Sequence, residues 1–367
     1  MQDSNNAKRY AKVRHNLAIF ETAFTILFLL AIQFSGISLC LKTLALHLSS
    51  REFILIAVYL ISLGIVFNAL TFWMDFFGGF WLERRFGLLR QNLASWLKDH
   101  IKRLLIGGVF CFIVIEALYY LLRKFPFTWW LWGGFFWFVF SLLLAKIFPV
   151  LIVPLFYKLE KLQDENLKAD LLCLADNARI KILEIYKIGL GAKTKKANAA
   201  LTGFGSSKRI LLSDTLLNNY SKEEIEAVLA HEMAHHKYRH IWKLILLNLA
   251  STVAAFLLIY IIHLYIIKYA LGLDIHDISG FPVLAALFIC FSFFTTPLLN
   301  AVSRHFESQA DTEAIRLTAN PQAFISLMEK LTQQNLSDPA PSRLVEIFFY
   351  DHPPASKRIK AARGKIV

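Results

Sequence analysis

The stretch EAVLAHEMAHHKYRH, residues 226–240, sets four histidines in a chain of long apolar runs. His231 and His235 flank Glu232 in the order His-Glu-x-x-His. Upstream, Ser221 stands three residues before Glu224, the signature of a capped helix start. The pattern predicts one helix from there through His240, with His231 and His235 one turn apart on one face. Two imidazoles so placed can reach one metal ion, at about 2.0–2.1 Å each. Glu232, next to the first, is then placed to take a proton from water. The motif alone does not separate this reading from a solvated helix end near a membrane surface.

Composition sets the surroundings. Of 367 residues, 56% are hydrophobic, with 32 Phe and 8 Trp; soluble domains hold roughly 45–50% apolar residues. The net charge is +13. The Lys and Arg lie between apolar runs, so the excess reads as membrane topology, and no nucleic-acid partner is expected. Six runs suit a bilayer span of about 20 residues: near 17–38, 53–75, 104–122, 128–151, 243–268 and 281–302. The fourth enters FPVLIVPLF, where Pro149 and Pro154 kink or end it.

Lys8, Arg9, Lys12 and Arg14 precede the first run, and Arg84, Arg85, Arg90, Lys98, Lys102 and Arg103 follow the second. The loops holding Lys42, Arg51 and Lys268 are poorer in charge. Both termini and the 158–240 segment are therefore expected on the cytoplasmic side. The first run reads as a retained helix, not a cleaved signal. Cys40, Cys111, Cys173 and Cys290 are scattered, which argues against a disulfide scaffold or a thiolate metal site.

The expected organisation has four parts: membrane helices one to four with a basic loop (1–157), a soluble segment (158–240), helices five and six (241–302) and a soluble tail (303–367). The soluble segment reads as a helix (DENLKADLLCLADNA), three strand-like pieces (KILEIYKIGL, NAALTGF, RILLSD) and the histidine helix. A catalytic metal needs a third protein ligand and an open position. SRHFESQADTEAIRL, after the sixth run, offers Glu307, with Asp311 one turn on. A carboxylate so spaced can hold the far nitrogen of a ligating histidine. His236 and His240 read as surface or supporting residues, and no chemistry is given to His240. Glu21, Asn68, Glu116, Lys146 and Asn248 lie within apolar runs, where they line a cavity, pair between helices or sit nearer the interface.

Several stretches in order carry a resemblance: RFGLLRQNLASWLKDHIKR, FPVLIVPLFYKLEKL, NAALTGFGSSKRILLSDTLL, VLAHEMAHHKYRH, SRHFESQADTEA and YDHPPASKRIKA. The chain resembles the integral-membrane zinc metallopeptidases of the type I CAAX prenyl endopeptidase family, in the form of a compact bacterial relative. The resemblance implies a mainly α, polytopic membrane bundle enclosing a water-filled chamber, with a gluzincin-like protease domain on the cytoplasmic side. It implies a multi-pass protein of a bacterial inner membrane that holds one Zn2+ per chain. His231, His235 and Glu307 match the metal ligands, Glu232 the general base and Asp311 the acid behind the ligands. Asn198 and Ala199 match the substrate-binding edge strand, and His352 and Arg358 the tail motif near the scissile carbonyl.

There are departures. Six spans are counted where seven are usual, and His236 stands where Trp is common. Ala200 stands where an aromatic residue is frequent, and the long charged insert is missing. They leave the metal site intact and separate the fold from a prenylated substrate. The expected function is zinc metalloendopeptidase activity on a peptide or membrane-protein substrate. The alternatives are a heat-shock-type quality-control protease and, in another class, a transporter with an incidental metal site.

Overall fold

A computed structural model describes residues 2–203 and 208–365. The expected strand NAALTGF reaches Phe204, which lies outside the described residues. Among those described, six helices are long and apolar enough to cross a bilayer: Asn5–Phe34, Glu52–Arg85, Leu93–Lys124, Trp129–Phe156, His240–Ala270 and Ile278–Thr318.

The chain opens with α1 (Gln2–Phe34), which ends at Gly36, whose φ of 81° lets the backbone reverse. A short apolar helix follows, α2 (Ile37–Leu48), where the sequence suggested only a loop. With 12 residues it is too short to span. Instead it caps the bundle: Lys42 Nζ pairs with Asp277 Oδ2 at 2.5 Å, and Ser38 Oγ donates to the Ser279 carbonyl at 2.6 Å. Then come α3 (Glu52–Phe76), α4 (Leu82–Arg85), α5 (Leu93–Lys124) and α6 (Trp129–Ile147). Past α6 the helix loosens into a π turn at Phe148–Ile152 and closes with α7 (Val153–Phe156), so Pro149 and Pro154 mark the exit from the bundle.

A mixed helix and sheet segment follows: β1 (Leu159–Lys161), α8 (Glu165–Asn177), β2 (Glu184–Ile188), β3 (Ala199–Thr202), β4 (Arg209–Ser213), α9 (Asp214–Asn219) and α10 (Lys222–Lys237). β1 escaped the sequence reading because three residues carry no usable alternation. The sheet order is β1-β2-β4-β3. β2 and β4 run parallel and the outer strands antiparallel to them, leaving β3 on an edge. Ile185, Ile210 and Leu212 bury one face of the sheet against Leu171, Leu216, Leu229, Phe324 and Leu327.

The histidine helix does not run through His240. It ends at Tyr238, Arg239 takes a left-handed conformation (φ 56°), and His240 begins α11 (His240–Leu264). The chain then enters α12 (Phe281–Thr318), α13 (Pro321–Gln334), α14 (Arg343–Phe349) and α15 (Ala355–Arg363). At 38 residues, α12 runs from the apolar bundle to the histidine helix without a break. Asn68 and Asn248 each donate back to a carbonyl one turn earlier, at 2.8 Å, and Asn248 also lines a cavity in the bundle. Between α5, α6, α11 and α12 lies a cavity of about 530 Å³.

Apolar helices in lipid gain little from hydrophobic contact with each other and rely on close packing. Gly133 and Gly134 of α6 provide it against α11: a Cβ at either would lie 2.6 Å from Phe256 or Val253. Gly133→Leu and Gly134→Leu should each cost about 1–3 kcal/mol by overpacking, read as a lower thermal unfolding temperature in detergent. Unchanged melting would show that the helices do not meet there.

Candidate metal centre and active site

α10 is held at its start and along one face. Ser221 Oγ accepts from the Glu224 N–H, and the Glu224 carboxylate accepts from the Ser221 N–H, as the sequence suggested. The same carboxylate takes Ser326 Oγ at 2.6 Å and Lys330 Nζ at 2.8 Å, so the cap also fastens α10 to α13. Ala227, Ala230 and Ala234 are fully buried, and such small residues permit close approach of the elements packed around α10. At the far end, Glu313 of α12 accepts from Lys237 Nζ at 2.7 Å and Tyr238 OH at 3.0 Å. α10 is thus clamped on both sides of the histidines, to α13 at its start and to α12 at its end.

Between the clamps three side chains converge. His231 Nε2 lies 3.1 Å from Glu307 Oε2, His235 Nε2 lies 3.2 Å from Glu307 Oε1, and the two Nε2 atoms are 3.2 Å apart. Ligands of a tetrahedral ion with bonds of 2.0–2.1 Å are about 3.3 Å from one another, so the spacing fits. Glu307 Oε2 is buried, facing both His231 Nε2 and, at 3.3 Å, His352 Nε2. Two imidazoles and a carboxylate suit a first-row divalent ion. Burial works against charge on His231, but hydrogen bonds to Asp311 and Glu307 outweigh it and raise its pKa to about 9. The site favours positive charge.

Each histidine is also held from behind. His231 Nδ1 is 2.9 Å from Asp311 Oδ1. Asp311 in turn takes a two-pronged contact from Arg358, Nε to Oδ2 at 2.8 Å and Nη2 to Oδ1 at 2.5 Å. The tail therefore reaches the site, with those two guanidinium nitrogens seated on Asp311. His352 is closer to the opening: its Nε2 lies 3.3 Å from Glu307 Oε2 and its Nδ1 2.7 Å from Asp351 Oδ1. Burial lowers its pKa, and Asp351 and Glu307 more than reverse that. Glu232, His231, His352, Arg358, Asn198 and Ala199 line one cavity of about 150 Å³.

The sequence left His240 as a surface or supporting residue, and the structure puts it behind His235. His240 is fully buried and its ring stacks on Phe306 at 4.4 Å. Its Nδ1 lies 3.1 Å from His235 Nδ1, its Nε2 3.0 Å from Gln309 Oε1, and Gln309 Nε2 3.1 Å from His305 Nε2. With His235 Nε2 turned to Glu307, one proton assignment satisfies the chain. His235 Nδ1–H donates to His240, His240 Nε2–H to Gln309, and the Gln309 amide to His305. The five-residue gap between His235 and His240 spans the break at Arg239, so no helical spacing points to the contact.

A polytopic bundle that presses a His-Glu-x-x-His helix against a carboxylate on a membrane helix is the architecture of a membrane metallopeptidase. The chain belongs to peptidase family M48, whose model matches residues 161–366. A second model, described as CAAX prenyl protease N-terminal, five membrane helices, matches residues 2–158. In that stretch the described residues form four long apolar helices and the short α2. Among curated relatives, the chain is 29% identical to "Uncharacterized metalloprotease YhfN" of Bacillus subtilis, over 97% of this chain and 84% of that protein. It is 32% identical to a "CAAX prenyl protease 1 homolog" of Arabidopsis thaliana, over 78% and 68%. The crystal structure of S. mikatae Ste24p superposes with a TM-score of 0.85 at 25% identity, covering 98% of this chain and 88% of that one. The protein is an integral multi-pass membrane metalloprotease.

Removing a partner from behind a metal-ligating histidine typically lowers metal affinity 10–100-fold. His240→Ala should do so here, measured by chelator competition on the purified protein. Wild-type affinity in that variant would make His240 a packing residue only.

Proposed function

We propose that this protein is a zinc endopeptidase that cleaves an extended peptide segment at the cytoplasmic membrane face. The observation that carries the reading is the convergence of His231, His235 and Glu307 beside Glu232, in a cavity that also opens on an edge strand. His231, His235 and Glu307 would hold one zinc, which supplies Lewis acidity toward the scissile carbonyl and makes a water more acidic. Glu232 accepts a proton from water and passes it to the departing amine. Asp311 fixes the His231 tautomer, and Arg358 keeps Asp311 charged and in place. His352 reaches the same cavity and donates to the developing oxyanion. Asn198 and Ala199 place the peptide by strand addition.

In this reading the helices of 1–157 and 241–302 form the bundle, and the 158–240 and 303–367 segments form the protease at its cytoplasmic end. The substrate is a membrane-anchored chain. Relatives named CAAX prenyl protease 1 favour a prenylated one. Cleavage of a prenyl-peptide but not casein, abolished by a chelator, supports that class; the reverse preference supports general quality control.

Glu232→Gln should keep about one zinc per chain and lose nearly all turnover, whereas His231→Ala, His235→Ala and Glu307→Ala should each lose the metal. Elemental analysis beside peptide hydrolysis checks both, and turnover near wild type in Glu232→Gln would overturn the mechanism.

Orientation has its own test. Reporter fusions at residues 10, 95, 200 and 360 should all report cytoplasm, and fusions at 45 and 274 the opposite side. A signal from the opposite side at residue 200 would reverse the topology.

A further inference from the structure

The edge strand beside the metal centre can be accounted for rung by rung. Every buried backbone N–H and C=O needs a partner, and in an antiparallel pair alternate residues turn those groups toward and away from the neighbour. Even-numbered residues here turn inward. Asn198 N–H donates to Ser213 Oγ at 3.0 Å, and its carbonyl accepts from the Ser213 N–H at 3.0 Å. Ala200 stands opposite Leu211 and Thr202 opposite Arg209. The Lys196 carbonyl accepts from Thr215 Oγ1 at 2.8 Å.

Odd-numbered residues turn outward, to the side where a peptide would add. Most of those groups are already taken. Lys195 N–H donates to the Leu88 carbonyl at 2.9 Å, and its own carbonyl accepts from Gln334 Nε2 at 2.6 Å. Ala197 is filled at both groups by one side chain: its N–H donates to Asn335 Oδ1 at 3.0 Å, and its carbonyl accepts from Asn335 Nδ2 at 3.3 Å. The Leu201 carbonyl faces His236 Nε2 at 3.4 Å, a long contact. Ala199 lies between, on the cavity that holds Glu232 and His231, and the same alternation turns its N–H and carbonyl away from β4.

We propose that this strand grips a peptide from Ala199 onward, and that Asn335 is the stop that limits it on the Ala197 side. The Asn335 carboxamide occupies the Ala197 rung as the backbone of an added strand would. Rungs on one edge are about 6.6–6.8 Å apart, so a peptide extended toward Ala197 leaves the strand line within about two residues. Toward Leu201 the way is open, because the long His236 contact yields. Asn335 is itself fixed: it ends α13, its N–H donates to the Leu331 carbonyl at 3.0 Å, and Leu336 beyond it takes a left-handed turn (φ 51°). The consequence is substrate length selection. Cleavage falls a short, fixed distance from one end of the bound peptide. This rests on the strand-addition reading above and adds to it a residue that sets specificity.

The test uses full-length, zinc-loaded protein and internally quenched peptides lengthened one residue at a time at either end, with products read by mass spectrometry. Wild type should lose efficiency when one end, and not the other, is lengthened. In Asn335→Ala that penalty should shrink roughly tenfold and longer end products should appear, because the loss of one hydrogen-bonded rung is on that scale. Gln334→Ala removes a neighbouring contact without freeing the Ala197 rung and should keep the wild-type length profile. Asn335→Asp keeps the acceptor and loses the donor, so it should fall between wild type and Asn335→Ala, and it stands in if the alanine variant folds poorly. Wild-type length profiles in both Asn335 variants would overturn the proposal. Ala199→Pro removes the open N–H at a position where an edge strand tolerates proline. It should raise KM for peptides of every length, and if it does not, the strand-addition reading itself fails, whatever Asn335 does.

Discussion

Two buried carboxylates on one helix, Glu307 and Asp311, fix the positions of the surrounding elements. Both are nearly inaccessible to water, and a buried charge without partners is strongly destabilising. Their partners come from two other places in the chain: His231 and His235 on α10, and His352 and Arg358 in the tail. Meeting that need draws together segments more than a hundred residues apart in sequence. It also fixes the orientation of the rings, because His231 is held at both nitrogens.

The two histidines are supported differently. His231 rests on a charged pair, Asp311 with Arg358, which strengthens its electron donation to a metal. His235 rests on a chain of an imidazole, a carboxamide and another imidazole, which fixes tautomer and angle with much less charge. The membrane helices share in both. His240 is the first residue of α11, and Gln309, Glu307 and Asp311 sit on α12, which continues unbroken from the bundle. Their placement is therefore inherited from helix packing in the bundle. The sheet is tied to the same frame: Lys193 pairs with Asp99 of α5, and Lys196 donates to Glu83 of α4.

Much of this was legible in the sequence because it is local or periodic. A run of about 20 apolar residues must either span or aggregate, so the six helices could be counted, and i,i+4 spacing put His231 and His235 on one face. The Ser221–Glu224 cap is a four-residue pattern, and its geometry follows from it. The tertiary structure decided what depends on distance through space. It turned the segment after Gly36 into a cap for the bundle and broke the histidine helix at Arg239 so that His240 turns back on His235. It set Arg358 on Asp311 and brought Asn335 beside Ala197, 138 residues earlier in the chain. No spacing rule reaches across such separations, because those contacts are chosen by which buried polar groups still lack a partner once the helices and the sheet have packed.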